Sequence, residues 1–317
     1  MGVRLGYLGL AFPSVWPLAS EPQAAVKFTK AIIPMGSARH RDLPLQHITT
    51  GDGRTKRTAA LHIEELLAAG IEQVALITSP GSAPLFHDLV GQFGSAIVLI
   101  EQPEPRGFGH AILCAERWAS DQPFLLQVCD HMFITYASSS CTQQLIEFAS
   151  REGCAVSAVQ ATPESQLPYF GVIGGHRIKG EEQLYTVEAV FEKPTPTVAE
   201  EYCMVPGMRQ GSYLGFFGTH ALTPSIFRYL REQQSQIKDN QPFGLTDALT
   251  ALLSKEKYLA LEVRGHRIDL EGPFGLLRAQ VALALHGSRR EEVLRLMLEE
   301  VAQAQSPRED SDVRNAQ

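Results

Sequence analysis

The sequence lacks the features of a membrane-spanning, nucleic-acid-binding or disulfide-stabilised protein. No segment reaches the roughly 18 apolar residues that a transmembrane helix needs. The net charge of −7 provides no positive field for nucleic acid. The five cysteines are odd in number and have no C-x-x-C spacing, which favours reduced, buried thiols over disulfides or a zinc site. We therefore expect a cytoplasmic protein that binds neither nucleic acid nor membranes.

The two ends of the chain differ from its middle. Residues 1–28 have neither the strong apolar core nor the small-residue cleavage pattern of a secretory signal peptide, and we interpret them as an irregular N-terminal extension. Residues 306–317 are polar and poor in apolar side chains, which predicts a disordered tail.

Between the ends, short apolar runs alternate with amphipathic segments. Continuous apolar runs are typical of parallel strands that are covered on both faces, and their alternation with helices predicts a doubly wound, mostly parallel Rossmann-like α/β sheet. The predicted strands of this first half are 30–34, 73–78, 96–100, 124–129 and 155–160, and the predicted helices are 58–69, 83–93, 109–118 and 141–151.

The second half of the chain predicts a smaller, partly antiparallel portion followed by C-terminal helices. No linker separates two domains, so we expect a catalytic domain over 29–286 and a C-terminal helix over 287–305. The apolar faces of the closing helices suit either packing on their own domain or a homo-oligomer. The predicted strands here are 171–175, 185–191, 213–218 and 258–263, and the predicted helices are 224–233, 245–253, 273–285 and 289–304.

Ligands of such sheets bind beyond the carboxyl ends of the strands, where several polar residues fall. Asp130 follows a buried strand and could hold Mg²⁺ or cap a turn. Gly107 and Gly109 precede a helix, where backbone can approach a ligand or form only a tight turn. Lys193 could bind a phosphate or form a solvated pair with Glu192.

A later carboxylate, Asp269, could be a second metal ligand or the N-cap of the helix that follows. Each of these signals is weak alone, but they occur in a familiar order. Over residues 29–286 the chain resembles bacterial UTP–glucose-1-phosphate uridylyltransferases. The matching segments are 30–34 (KAIIP), 68–71 (AAGI), 107–115 (GFGHAILCA), 171–173 (GVI), 192–194 (EKP) and 245–248 (LTDA), with Asp130 and Asp269 at the family's aspartate positions.

The resemblance implies a role for each matching residue. It implies a Mg²⁺-dependent joining of an NTP, UTP in the family, to a sugar 1-phosphate, glucose 1-phosphate in the family, with release of pyrophosphate. Mg²⁺ would be held by Asp130 and Asp269, and the sugar phosphate by Lys193. The implied substrate-binding residues are Gln102 for the uracil edge, Gly107 and Gly109 beside the base, and Gly171 and Glu192 for glucose.

The sequence departs from the family in the glycine-rich loop after the first strand. Arg41, a candidate catalytic residue, is retained, but Ser37 and Arg39 replace glycines that would let backbone N–H groups surround a triphosphate. The later basic segment 51–57, with two glycines, could form a substitute loop or be only a solvated loop that enters a helix. Two functions therefore remain open, an active nucleotidyltransferase and a non-catalytic homologue that binds a nucleotide sugar and has a regulatory role.

Overall fold

The computed structural model describes residues 26–35, 42–237 and 241–305. Thirteen strands lie within these ranges. They are β1 (Lys30–Pro34), β2 (His47–Thr49), β3 (Thr55–Arg57), β4 (Gln73–Thr78), β5 (Ile97–Glu101), β6 (Phe124–Gln127), β7 (His131–Thr135), β8 (Ala155–Pro163), β9 (Val172–Arg177), β10 (Leu184–Phe191), β11 (Ser212–Leu222), β12 (Tyr258–Glu262) and β13 (Gly265–Asp269).

Ten α-helices lie in the same described ranges, and none of them is long and apolar enough to cross a membrane. They are α1 (Thr58–Ala68), α2 (His87–Phe93), α3 (Gly107–Cys114), α4 (Glu116–Ala119), α5 (Cys141–Glu152), α6 (Pro196–Tyr202), α7 (Ser225–Gln236), α8 (Thr246–Leu253), α9 (Gly275–Leu285) and α10 (Arg290–Gln305).

Nine strands form the central sheet in the order β5-β4-β1-β6-β11-β8-β12-β10-β9. β4, β1 and β6 pair in parallel, as do β8 and β12, whereas β11 and β10 run against the other strands. The apolar side chains of the parallel strands are buried on both faces of the sheet, in two separate clusters. The predicted mostly parallel α/β sheet with an antiparallel portion is therefore confirmed.

The order of the strands explains why ligands would gather at one edge. β1 and β6 are neighbours, and the antiparallel β11 follows β6. The carboxyl end of β6, at Gln127, is opposite Thr219 in the later part of β11, and the earlier part of β11 continues beyond that end, where a crevice forms in sheets of this kind. Asp130 comes three residues after the end of β6, which ends at Gln127, two residues before the predicted end at 129.

Several elements differ from the predicted ones in length or number. The predicted helix 83–93 begins with a 3-10 turn, Ala83–Phe86, and the predicted helix 109–118 is broken at Ala115 into α3 and α4. β11 extends four residues beyond the predicted end at 218, because residues 219–222 pair with β6. Two small antiparallel ribbons, β2–β3 and β7–β13, were not predicted, because pairing partners are not visible in a single sequence.

The predicted domain bounds remain predictions. Residues 1–25 of the predicted N-terminal extension and all of the predicted tail lie outside the described residues. α10 occupies most of the predicted C-terminal helix 287–305. The five cysteines are free thiols, as expected, and burial raises the pKa of Cys141 and Cys203 to about 12.

Candidate active site

A cleft of about 470 Å³ opens beyond the carboxyl end of β6, between β11, α8 and the loops after β6 and β10. Four of the residues predicted from the sequence line it, Asp130, Gly171, Glu192 and Lys193. The fold therefore brings together residues that are more than 60 positions apart in the chain. Its remaining lining residues are Phe108, Val128, His131, Tyr169, Phe170, Phe216, Gly218, His220, Gly244, Leu245, Thr246, Asp247 and Leu249.

The ribbon β7–β13 brings the two predicted metal ligands to one place. Asp269 pairs with His131 across the ribbon, and the Leu270 backbone N–H donates to the Asp130 carbonyl at 2.8 Å. The Asp269 carboxylate accepts the Glu271 N–H at 2.8 Å, which fixes its orientation. Asp269 is the last residue of a strand, so the alternative of a helix N-cap does not apply.

The two carboxylates fit Mg²⁺ better than a metal with an all-protein cage. The described residues contain no group of three or more His, Cys, Asp or Glu side chains arranged to hold a metal. Mg²⁺ usually takes one or two carboxylates and completes its shell with water and substrate phosphates. Asp130, which lines the open cleft, together with Asp269 beside it in the ribbon matches that requirement.

His131 lies beside the Asp130 carboxylate but is not its cationic partner. Its Nδ1 is 3.8 Å from the Asp130 carboxylate, a distance at which a protonated histidine would form an ion pair. Burial, followed by the nearby Arg267 charge, lowers the pKa of His131 to about 4. The imidazole is therefore neutral at neutral pH, and it leaves the negative charge of the aspartates in place for a cation.

Arg267 is a buried cation that the sequence analysis missed. Its guanidinium lies 3.5 Å from the centroid of the Phe170 ring, and its Nη2 donates to the Thr162 hydroxyl at 3.3 Å. Burial lowers its pKa to about 10, so it stays charged at neutral pH. Phe170 lines the cleft, and Arg267 therefore holds one wall of the site. The available signal was an arginine two residues before Asp269, in the middle of a short strand.

Gly171, Glu192 and Lys193 also line the cleft. A Cβ atom at Gly171 would lie 2.8 Å from the Phe216 ring and 3.0 Å from the Glu192 carboxylate, so a side chain there would close this part of the cleft. The Thr246 hydroxyl donates to the Glu192 carboxylate at 2.9 Å. This hydrogen bond holds one carboxylate oxygen and leaves the other able to accept from a ligand.

Lys193 has an unusual backbone for a lysine. Its φ of +46° lies in the left-handed region, which side-chain-bearing residues adopt at a cost of about 1–2 kcal/mol. Its side chain is exposed in the cleft, and it forms no ion pair with any residue in the part of the chain that the structure describes. A strained, uncompensated cation in a cleft is well suited to a phosphate.

Gln102, Gly107 and Gly109 lie together at the start of α3. The Gln102 side chain is buried, and its amide donates to the Gly107 carbonyl at 3.1 Å. Gly107 has a φ of +88°, and a Cβ atom there would lie 2.6 Å from the Phe243 carbonyl. The Gly109 N–H donates to that carbonyl at 2.9 Å.

Both glycines are thus needed because the backbone at Phe243 and Gly244 packs directly on them. Close approach was expected from the sequence, but the approaching group in this structure is the chain itself. The contacts of Gln102, Gly107 and Gly109 with a nucleotide base stay predictions. Of these three, none lines the cleft directly, while their neighbours Phe108 and Gly244 do.

The altered loop lies partly among the described residues. Arg41, Ser37 and Arg39 lie outside the described residues, so the catalytic role of Arg41 remains a prediction. The substitute loop at 51–57 is the tip of the ribbon β2–β3, and its three basic side chains all pair with carboxylates, so its charge is already neutralised. The pairs are Arg54–Asp52 at 2.7 Å, Lys56–Glu64 at 2.6 Å and Arg57–Asp88 at 2.7 Å.

The ribbon tip is also fixed by packing. A Cβ atom at Gly51 would lie 2.2 Å from the Gly287 Cα, and the Arg289 N–H donates to the Gly51 carbonyl at 3.1 Å. The contact between Gly51 and Gly287 therefore packs the ribbon tip against the turn between α9 and α10. The hypothesis that 51–57 forms a flexible, positively charged phosphate loop is wrong for these residues.

Comparison with known proteins identifies the class to which this fold and cleft belong. Residues 41–267 match the model of the Nucleotidyl transferase family, and the chain belongs to that family. It is 29% identical over 298 residues to a UTP–glucose-1-phosphate uridylyltransferase of Streptococcus pyogenes, a match that covers 85% of this chain and 93% of that protein. The corresponding enzyme of Staphylococcus epidermidis is 27% identical over 301 residues, 87% of this chain and 99% of the enzyme.

Solved structures show the same fold. A UDP-glucose pyrophosphorylase complexed with UDP-glucose superposes with a TM-score of 0.64 at 23% identity, over 81% of this chain and 98% of that one. A UTP-bound UGPase from Acinetobacter baumannii gives 0.67 at 21% identity, over 86% and 99%. The family predicted from the sequence and its class of enzyme, a nucleotidyltransferase, are thereby confirmed.

Proposed function

We propose that this chain joins UTP to glucose 1-phosphate in a Mg²⁺-dependent reaction that yields UDP-glucose and pyrophosphate. The observation that carries the proposal is the presence in one cleft of Asp130, which the ribbon β7–β13 joins to Asp269, and of the Glu192–Lys193 pair. The first suits a metal-bound triphosphate and the second suits a sugar phosphate. The names of the relatives supply the particular nucleotide and sugar.

The residues of the chain would act by positioning and charge. Lys193 would bind the phosphate of the sugar 1-phosphate and Glu192 its hydroxyls, which aligns a phosphate oxygen with the α-phosphorus of UTP. That oxygen forms the new P–O bond while the bond from the α-phosphorus to the bridging oxygen breaks and pyrophosphate leaves. Mg²⁺ held by Asp130 and Asp269 would supply neutralisation of the developing phosphate charge.

The proposal also covers the compartment and the assembly of the protein. The five free thiols favour a reducing compartment, and we place the protein in the cytoplasm for that reason. Leu277 and Leu298 expose 58% and 69% of their surface on α9 and α10, which favours a homo-oligomer through these helices. Light scattering after size exclusion measures the mass, and a monomer at all concentrations would reject the oligomer.

The function is tested by pyrophosphate release from purified protein with Mg²⁺, glucose 1-phosphate and each NTP in turn. Asp130→Asn removes a charge from the carboxylate pair, and Asp121→Asn, on an exposed turn outside the cleft, is the matched control. We expect release with UTP, loss of at least about 100-fold in Asp130→Asn, and unchanged rates in Asp121→Asn. Release with another NTP would show that the substrate is that nucleotide and not UTP. No release with any NTP from folded protein would support the non-catalytic alternative.

A further inference from the structure

A buried histidine lies in the lining of the cleft, and neither the proposed metal site nor the predicted sugar-phosphate contacts use it. His220 is on β11, next to the sheet interior, and only 4% of its surface is exposed. Its Nδ1 is bonded inside the protein, 2.6 Å from the Ser157 hydroxyl. The other ring nitrogen, Nε2, forms no hydrogen bond with the residues that the structure describes.

An irregularity of β11 places this side chain. Phe216 is opposite Val159 and His220 is opposite Ser157, so β11 uses four residue steps where β8 uses two. Gly218, at the centre of this bulge, has a φ of +101°, and a Cβ atom there would lie 2.7 Å from the Val128 side chain. Bulges of this kind commonly re-aim a side chain beside an active site.

The hydrogen bonds behind His220 determine which nitrogen carries its proton. The Tyr258 hydroxyl lies 2.5 Å from the Ser157 hydroxyl, and both residues are buried. The tyrosine O–H has no other acceptor among the described residues, so it donates to Ser157, and Ser157 in turn donates to His220 Nδ1. The opposite direction would leave a buried tyrosine O–H without an acceptor, which is unfavourable.

The proton of His220 is therefore on Nε2, and a neutral N–H donor faces the cleft. Burial lowers the pKa of His220 to about 4, so the ring stays neutral at neutral pH. A neutral donor suits a hydroxyl oxygen, whereas the charged phosphate is served by Lys193.

The surroundings of His220 indicate which part of a substrate it would meet. The Phe216 ring contacts His220 edge-on, with the ring centroids 5.0 Å apart. The same ring lies 2.8 Å from the position of a Cβ atom at Gly171, the predicted sugar-contacting glycine. Only the Phe216 ring therefore separates His220 from the sugar end of the cleft, where Glu192 supplies a hydrogen-bond acceptor. His131 and His220 are the two histidines among the lining residues.

We propose that His220 is a specificity-determining residue whose Nε2–H donates to one hydroxyl oxygen of the sugar 1-phosphate. This inference rests on the proposed function. Ser157 acts as a positioning residue, because it holds the tautomer that presents the donor. Glu192 would accept a hydrogen bond from a sugar hydroxyl and His220 would donate one to a sugar hydroxyl. The two residues together would therefore favour a sugar that carries hydroxyl groups at both contacts.

The test compares sugar phosphates that differ by one hydroxyl. Pyrophosphate release is measured with UTP and glucose 1-phosphate, then with its 2-, 3-, 4- and 6-deoxy analogues. For the wild type we expect kcat/KM to fall by about 10-fold or more at the contacted position. In His220→Leu the ratio of kcat/KM for glucose 1-phosphate to kcat/KM for that deoxy analogue should fall to about 1–2. His220→Gln, whose amide N–H can occupy the place of Nε2–H, should keep most of this discrimination. The KM for UTP should stay within about 2-fold of wild type.

A second pair of variants separates tautomer control from stability. Ser157→Ala removes the donor to Nδ1, so we expect a several-fold higher KM for glucose 1-phosphate and weaker discrimination at the same hydroxyl. Tyr258→Phe keeps the hydrogen bond between Ser157 and His220 but removes the O–H donor that fixes its direction, so it should lower Tm and weaken the discrimination by less than Ser157→Ala does. This pair decides the question if His220→Leu does not fold.

The outcomes are distinguishable. A wild type that releases pyrophosphate, together with His220→Leu and Ser157→Ala variants that discriminate all four analogues as the wild type does, would overturn the role of His220 and leave the proposed function intact. A folded wild type that releases no pyrophosphate with any NTP would overturn the proposed function and the role of His220 with it.

Discussion

Replacing Lys193 by glycine should make the protein more stable and far less active. Lys193 has a φ of +46°, and glycine adopts this region without the clash between Cβ and the carbonyl oxygen that follows. The side chain forms no ion pair among the described residues, so its removal breaks no such contact in the folded protein. Lys193→Gly therefore relieves strain and deletes the proposed phosphate-binding charge in one step.

The size of both effects follows from the geometry. The left-handed conformation costs a non-glycine residue about 1–2 kcal/mol, and the larger chain entropy of unfolded glycine returns about 0.5–1 kcal/mol of that gain. The net stabilisation is about 0.5–1 kcal/mol, which raises Tm by about 1 °C for a chain of this length. Loss of a charge that stabilises the transition state lowers kcat/KM by about 100- to 1,000-fold.

Two further variants make the assay specific. Asp121 has a φ of +55° and is exposed outside the cleft, so Asp121→Gly should give a similar rise in Tm with unchanged kinetics. Lys193→Ala should lose the same activity without gaining stability, since alanine keeps the strain. Urea midpoints, Tm and pyrophosphate release are measured on all four proteins. A Lys193→Gly variant that keeps more than a tenth of wild-type kcat/KM, or that is destabilised while Asp121→Gly is stabilised, would refute the reasoning.

Three other predictions concern the metal pair, the packed glycine and a buried histidine. Asp269→Asn should raise the Mg²⁺ concentration needed for half-maximal rate by about 10-fold or more, and an unchanged Mg²⁺ titration would contradict its role as a ligand. Gly107→Ala should lower the free energy of unfolding in urea by about 2–4 kcal/mol, because of strain at a φ of +88° and disturbed backbone hydrogen bonds with Phe243. Gly91→Ala, in open space on α2, should raise it by up to about 1 kcal/mol. Burial lowers the pKa of His62 from 6.5 to about 4. Between these pH values the unfolded chain binds a proton that the folded chain does not. The free energy of unfolding should therefore fall by about 3 kcal/mol as the pH drops from 6.5 towards 4. His62→Gln should remove this share of the pH dependence. Plots of unfolding free energy against pH that stay parallel for wild type and His62→Gln between pH 7 and 4.5 would contradict this role of His62.

The strands of the parallel half were predictable because their signal is local. The runs at Lys30–Pro34, Gln73–Thr78 and Phe124–Gln127 are buried on both faces and therefore apolar at nearly every position. A polar residue that follows such a run, as Asp130 does, falls at the carboxyl edge of the sheet. Its place in the cleft could therefore be expected without knowledge of any partner.

Other features could not be predicted because they depend on pairing across the chain. The ribbon that joins Asp269 to His131 links positions about 140 residues apart, and the hydrogen bonds of His220 link β11 to β8 and β12. The pairing of Arg54, Lys56 and Arg57 with carboxylates shows the same limit. A basic cluster in the sequence indicates charge but not whether that charge is already neutralised.

The amino-acid sequence by itself determined the succession along the chain of the nine central-sheet strands and of most helices, the family, and the residue types at the ends of the strands. These depend on the burial pattern of single elements and on motifs of a few residues. Only the tertiary structure decided which of those residues share a cleft, which charges stay uncompensated, and which nitrogen of His220 carries a proton. The physical reason is that hydrogen-bond direction, desolvation and ion pairing depend on neighbours in space, which a strand acquires only when it joins its sheet.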